Sequence, residues 1–258
     1  MGHYELDPLA AYGLDFRYIA PPLHRSFEEF RFPGTHSMRY SSLVDRISGE
    51  SADVWAIHYE ARARRNRGED ILILSLGQES DQHTPTVIQK TAIDSIRNGR
   101  HHYAPVLGED RLRRAIAIRH QQYTGQAVTA DNIAVFSGAQ NALFAASLCL
   151  LEFGSEIIVP ELYYATYPAT VTIGGAQLVP LPTCPDNRFQ LNLDTFEQAI
   201  TNKTKAIMLA HTLGNPFNLE KVVKICKKNN LWLIEDNCDS LGSKYKNKIT
   251  GTFGDVAT

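Results

Sequence analysis

The 258 residues carry 26 lysines and arginines against 28 aspartates and glutamates, a formal charge of -2 with a pI near 6.5, and no basic run alternates with aromatics. That balance offers no polyanion-binding surface, no apolar run reaches the roughly 18 residues of a membrane span, and the opening MGHYELDPLA lacks a basic-then-apolar leader. Nucleic acid and membrane are excluded as partners on this reading, which leaves a soluble cytoplasmic protein with material for one large α/β domain or two small ones.

Residues 1–37 are rich in Tyr, Phe and Pro without a sustained period, and read as an irregular arm or leader. From Met38 the pattern changes. A polar-faced helix is expected over 51–67, followed by the short apolar run ILIL at 71–74. Thr84 as N-cap, Pro85 at the first helical position and Gly99 past the end bracket the next helix. Leu112, Ile116 and Tyr123 are spaced to line one face of a helix through RLRRAIAIRHQQY.

Strands and helices then alternate. NIAVF (132–136) leads into an alanine-rich helix to about residue 153, EIIVP (156–160) into a helix ending at Gly174 and Gly175, and AQLVPL (176–181) into a capped helix over 194–200. AIMLA (206–210) precedes the helix LEKVVKICKKN, and LWLIE (231–235) follows it. Short apolar runs between helices imply an α/β fold with a mostly parallel sheet covered on both faces, whose ligands bind at the carboxyl ends of the strands.

Each strand end carries a candidate. In SGAQNAL, the small residues Ser137, Gly138 and Ala139 leave backbone amides uncovered at a helix start, a seat for a phosphate or simply a tight turn. ELYYATYP holds three tyrosines within five residues, able to stack on a planar ring or to pack on a helix. In HTLGNPFN the Asn215 amide either donates into the cleft or only forms a turn with Pro216. Glu235 and Asp236 end a buried run, where a carboxylate is costly without a cation. Together the four suit a phosphorylated pyridine, with the acid pair facing its charged nitrogen.

Two further features stand out. Up to residue 202 the chain has sixteen arginines and one lysine, Lys90; from Lys203 it has nine lysines and no arginine. Solvated helix faces accept either cation, so the switch points to a join between sequences of different origin. Cys149, Cys184, Cys226 and Cys238 lie far apart with no C-x-x-C pair, and read as buried free thiols rather than metal ligands or disulfides.

MRYSSLVDRISG, HYAPVLGEDRLRRAIA, SGAQNAL and YYATYP, over residues 38–206, resemble the large domain of class I pyridoxal-phosphate aminotransferases of the arginine:pyruvate transaminase type. From about residue 204, AHTLGNPFNLEKV, LIEDNCDSLGSKY and GTFGDVAT resemble instead the sugar aminotransferase and 3-dehydratase family. Both are fold type I, so the resemblance implies one pyridoxal 5'-phosphate-binding large domain over 38–258 with a join near 203–206. It also implies the roles. Ser137, Gly138 and Ala139 hold the cofactor phosphate, Tyr164 stacks on the ring, Asn215 bonds its 3-oxygen and Asp236 keeps its nitrogen protonated. Tyr103 reaches the phosphate of a neighbouring subunit, which implies a homodimer. Asp239 stands where class I enzymes carry a tyrosine, and Leu162 replaces their usual proline.

The same resemblance puts the Schiff-base lysine a few residues past Gly254 and Asp255, beyond Thr258, and the C-terminal small domain further still. Lys244, Lys246 and Lys248 precede that motif in a hairpin-like segment, and Lys90 lies on an amphipathic helix, so no catalytic residue and no metal ligand is assigned. Three readings follow: an aminotransferase acting on an amino acid and a 2-oxo acid, impaired without its lysine; a nucleotide-sugar 3-dehydratase or aminotransferase; or a noncatalytic fragment or chimera.

Overall fold

In the computed structural model, which describes residues 41–47, 54–77 and 83–258, the chain divides into two units, residues 1–76 and 77–258. The expected arm over 1–37 lies outside the described residues. The first unit contains helices α1 (Leu43–Ile47) and α2 (Val54–Asn66), the latter within the expected 51–67 span. The ILIL run forms no strand; Leu72 and Leu74 are more than four-fifths exposed, so nothing there repays the ordering of a strand.

The second unit carries the sheet. Helices α3 (Thr86–Arg97), α4 (Asp110–Thr124) and α5 (Ala139–Leu150) precede β1 (Glu156–Pro160). Then come α6 (Tyr167–Thr172), β2 (Gln177–Leu181), α7 (Leu193–Ala199), β3 (Thr204–Ala210), α8 (Leu219–Asn229) and β4 (Trp232–Asp236). A small antiparallel hairpin, β5 (Lys244–Tyr245) and β6 (Lys248–Ile249), turns at Lys246 and Asn247, both with positive φ. β7 (Val256–Ala257) then joins the main sheet, whose order is β2-β1-β3-β4-β7 with every pair parallel.

Strand side chains alternate between two apolar layers, as a period of two requires. Ile158, Ile207, Leu209 and Leu233 pack with Phe196 of α7 and Val222 and Ile225 of α8. Ile157, Val159, Ala206, Met208 and Ile234 pack on the other face with Leu143 of α5 and Tyr167 and Val171 of α6. Both faces are thus covered by helices, and the order along β4 sends Asp236 to the α5 and α6 side, one residue after Glu235 goes to the α7 and α8 side.

Four local expectations change. The helix at 86 starts with Pro85 in the N-cap position and no side-chain cap, because Pro85 keeps an extended ψ of 136 while Thr84 lies one residue too early. On α4 the face of Leu112, Ile116 and Tyr123 is exposed and the buried residues are Arg113 and Ala117. The Arg113 guanidinium donates to the carbonyls of Ile133 (2.9 Å) and Ala130 (2.6 Å), an anchoring that apolar periodicity does not register. NIAVF is not a strand: Ala130–Asn132 is a 3-10 turn boxed by Thr129, and beyond it Val135 N–H bonds Leu107 O instead of a sheet neighbour. Finally, Cys226 is a buried thiol, whereas Cys149, Cys184 and Cys238 are exposed.

Candidate functional site

The carboxyl ends of β1, β3 and β4 lie together because parallel strands all finish at the same edge of the sheet, and Gln140 ties the start of α5 to the segment that follows β1. Gly138 is the N-cap of α5 at φ 91 and ψ 164, a conformation open to glycine alone, and nothing lies within 4 Å of where a Cβ would project. No side chain caps the helix, so the amides of its first turn, beginning at Ala139 and flanked by the exposed Ser137, have no side-chain partner. From that turn Gln140 bonds the Thr166 hydroxyl (2.8 Å) and the Thr170 hydroxyl, which ties the start of α5 to the start of α6.

Tyr164 lies just before α6, 49% exposed, with its ring edge-on to that of Tyr167 at 6.0 Å between centroids. Tyr167 is buried and donates its hydroxyl to Asp236 Oδ2. Burial, and next the Asp236 charge, drive the Tyr167 phenol far above its usual range, so it remains a donor. Asp236 Oδ1 accepts from the Cys238 amide (2.9 Å) and the Thr258 hydroxyl (3.0 Å). A carboxylate offers about four acceptor directions, so three donors leave one direction, on Oδ2, for a further partner.

Glu235 does not share that face. It is fully buried on the opposite side, where Oε2 meets His211 Nε2 (2.9 Å) and the Gly251 amide (2.9 Å), and Oε1 accepts from the Phe253 (2.8 Å) and Gly254 (2.6 Å) amides. Burial pulls its pKa upward, but His211 and the three amides outweigh it and hold the carboxyl below its ordinary range. The expectation that both acids face one cation is therefore corrected: adjacent strand residues point to opposite faces.

Asn215 ends a 3-10 turn after β3; its side chain is exposed and its amide bonds Thr212 O at 3.1 Å. The turn is held by Asp239, whose Oδ2 accepts from the Leu213 amide at 3.0 Å. Tyr103 stands fully exposed between α3 and α4. Lys246 pairs with Glu220 of α8 at 2.6 Å and Lys248 lies over the Phe253 ring, both on the α8 side rather than with Asp236. The structure thus connects the α5 start, α6 and Asp236 directly and attaches the Asn215 turn through Asp239. Gln140, Tyr167 and Thr258 were not singled out from sequence; YYATYP contained Tyr167 among its three tyrosines, but which of them is buried depends on where α6 begins.

Residues 116–258 match the DegT/DnrJ/EryC1/StrS aminotransferase family. The chain belongs to that family. It is 42% identical over 206 residues to the arginine–pyruvate transaminase of Pseudomonas aeruginosa, covering 77% of this chain and 52% of that protein. It is 37% identical over 143 residues to the GDP-perosamine synthase of Escherichia coli O157:H7, covering 54% of this chain and 39% of that protein. Among solved structures, an aspartate aminotransferase from Thermotoga maritima superposes with a TM-score of 0.71 at 27% identity, over 83% of this chain and 58% of that one. The fold is fold type I of the pyridoxal-phosphate aminotransferases, and the chain spans about half the length of the relatives it matches. Among the described residues no helix is long and apolar enough to cross a membrane and no cluster of three or more metal-binding side chains occurs.

Proposed function

We propose that this sheet edge binds pyridoxal 5'-phosphate and serves transfer of an amino group from an amino acid to a 2-oxo acid. The observation that carries the reading is Asp236: a buried carboxylate at a strand tip, oriented by three donors with one acceptor direction left over. The donor set fits the group. Ser137, Gly138 and Ala139 would hold the phosphate on uncapped amides, Tyr164 would cover a ring face, Asn215 would donate to the ring oxygen, and Asp236 would hold a proton on the ring nitrogen. When bound, the pyridinium supplies a sink for the charge released at the substrate α-carbon.

The protein's own residues orient the site: Tyr167 and Thr258 fix the Asp236 carboxylate, and Gln140 links the phosphate end to α6. We assign no catalytic residue within these 258 residues and no metal. A cytoplasmic homodimer is part of the reading, with the exposed Tyr103 reaching the neighbour's phosphate; sedimentation of the full chain at monomer mass would remove that part.

A second reading, action on a nucleotide-linked sugar, draws support from the likeness to GDP-perosamine synthase and from Asp239, which here braces the Asn215 turn. The test is to titrate the full chain with pyridoxal phosphate and then supply either arginine with pyruvate or a keto-deoxy nucleotide sugar. Saturable binding supports the cofactor site with or without turnover, amino transfer to pyruvate supports the first reading over the second, consumption of the sugar supports the second, and absence of binding rejects both.

A further inference from the structure

Glu235 is a buried, ionised side chain that the proposed chemistry does not use, and it has four donors. Three are consecutive or near-consecutive amides of one loop, at Gly251, Phe253 and Gly254, and the fourth is His211 Nε2. His211 is itself fully buried, its Nδ1 has no hydrogen-bond partner, and its amide donates to Asp236 O at 3.1 Å. An ionised Glu235 oxygen can only accept, so His211 Nε2 is the donor in this contact.

The loop so held feeds β7 along β4. Gly254 passes so close to β4 that a Cβ would stand 2.5 Å from Leu233 O, and Asp255 Oδ2 accepts from the Leu233 amide at 2.9 Å. The Thr258 amide then bonds Glu235 O at 3.1 Å, and the Thr258 hydroxyl reaches Asp236 Oδ1. The two neighbouring acids thus grip one returning segment from opposite faces of the sheet.

We propose that Glu235 and His211 form a buried positioning pair, on the face opposite the site, which fixes residues 251–254 and through them delivers Thr258 to the Asp236 carboxylate. The pair touches no cofactor or substrate; it acts through Thr258. Its link to cofactor binding rests on the function proposed above, while its hold on the loop does not.

The test compares wild type, E235Q, E235D and the core control I225V as full chains, measuring amide hydrogen exchange and the dissociation constant for pyridoxal phosphate. Glutamine turns a donor toward the loop amides, so E235Q is expected to speed exchange at Gly251, Phe253, Gly254, Thr258 and Cys238 by about a hundredfold over that of the β1 and β3 amides, and to weaken cofactor binding roughly tenfold. E235D, which keeps the carboxylate, restores part of both effects and carries the test should E235Q fail to fold. I225V leaves both at wild-type values relative to global stability. Wild-type exchange at 251–254 in both Glu235 variants overturns the pair outright; a freed loop with unchanged exchange at Thr258 and Cys238 overturns the link to Asp236. If wild type binds no cofactor, the proposed function falls, and the exchange data alone decide this inference.

Discussion

The Tyr167 hydroxyl is buried against a charged acceptor, so its removal strands part of the Asp236 carboxylate without water to replace it. Tyr167→Phe is expected to cost about 1–3 kcal/mol in urea unfolding, more than the loss of an exposed phenol such as that of Tyr103. Glu235 adds a pH dependence whose sign is fixed by its lowered pKa. A carboxyl that titrates lower in the folded chain contributes stability that is fully present above its ordinary value of 4.5 and is lost as pH falls through the lower folded value. The gap in urea midpoint between wild type and Glu235→Gln should therefore be wide at about pH 7 and narrow by about pH 3. At this scale the sequence made Asp236 legible, because a carboxylate at the end of an apolar run has few explanations. It did not separate Asp236 from Glu235 in role: that separation depends on which strand residue faces which helix layer, and LWLIED reads the same until its neighbours are in place.

Elements with a strong local signature were legible almost to the residue. In LEKVVKICKKN the apolar Leu219, Val222, Ile225 and Cys226 share one face, all buried, and Asn218 caps the start. Asn218 Oδ1 accepts both from the Lys221 amide and from the Tyr245 hydroxyl at 2.8 Å, so it couples α8 to the hairpin. Asn218→Ala should cost about 1–2 kcal/mol and shift the urea midpoint without changing the slope, whereas a change below a few tenths would show that the cap is unimportant. Elements that depend on distant partners were not legible. NIAVF has strand composition, but its backbone finds Leu107 rather than a ladder, and α4 turns inward the face that carries an arginine. Where β1 meets β3 the register shifts opposite Lys205, between Thr204 and Ala206. That one-residue irregularity is a bulge, a local feature that the flanking pairs Glu156 with Thr204 and Ile157 with Ala206 accommodate.

For the whole molecule, the parallel sheet explains why residues as far apart in sequence as Tyr164 and Asp236 can serve one ligand, since β1 and β4 finish at one edge, while Gly138 joins them through the Gln140 bonds that tie the start of α5 to α6. Fold class was legible because apolar runs alternate with helices, and membership of the aminotransferase family gives that edge a chemical meaning. The central claim is that this edge receives pyridoxal phosphate. Hydrogen exchange on the full chain with and without the cofactor tests it most directly. New protection should be confined to amides around 137–141, 162–167 and 236–239; protection centred elsewhere, such as along α8, or none at saturating cofactor, would show that the ligand does not sit at this edge.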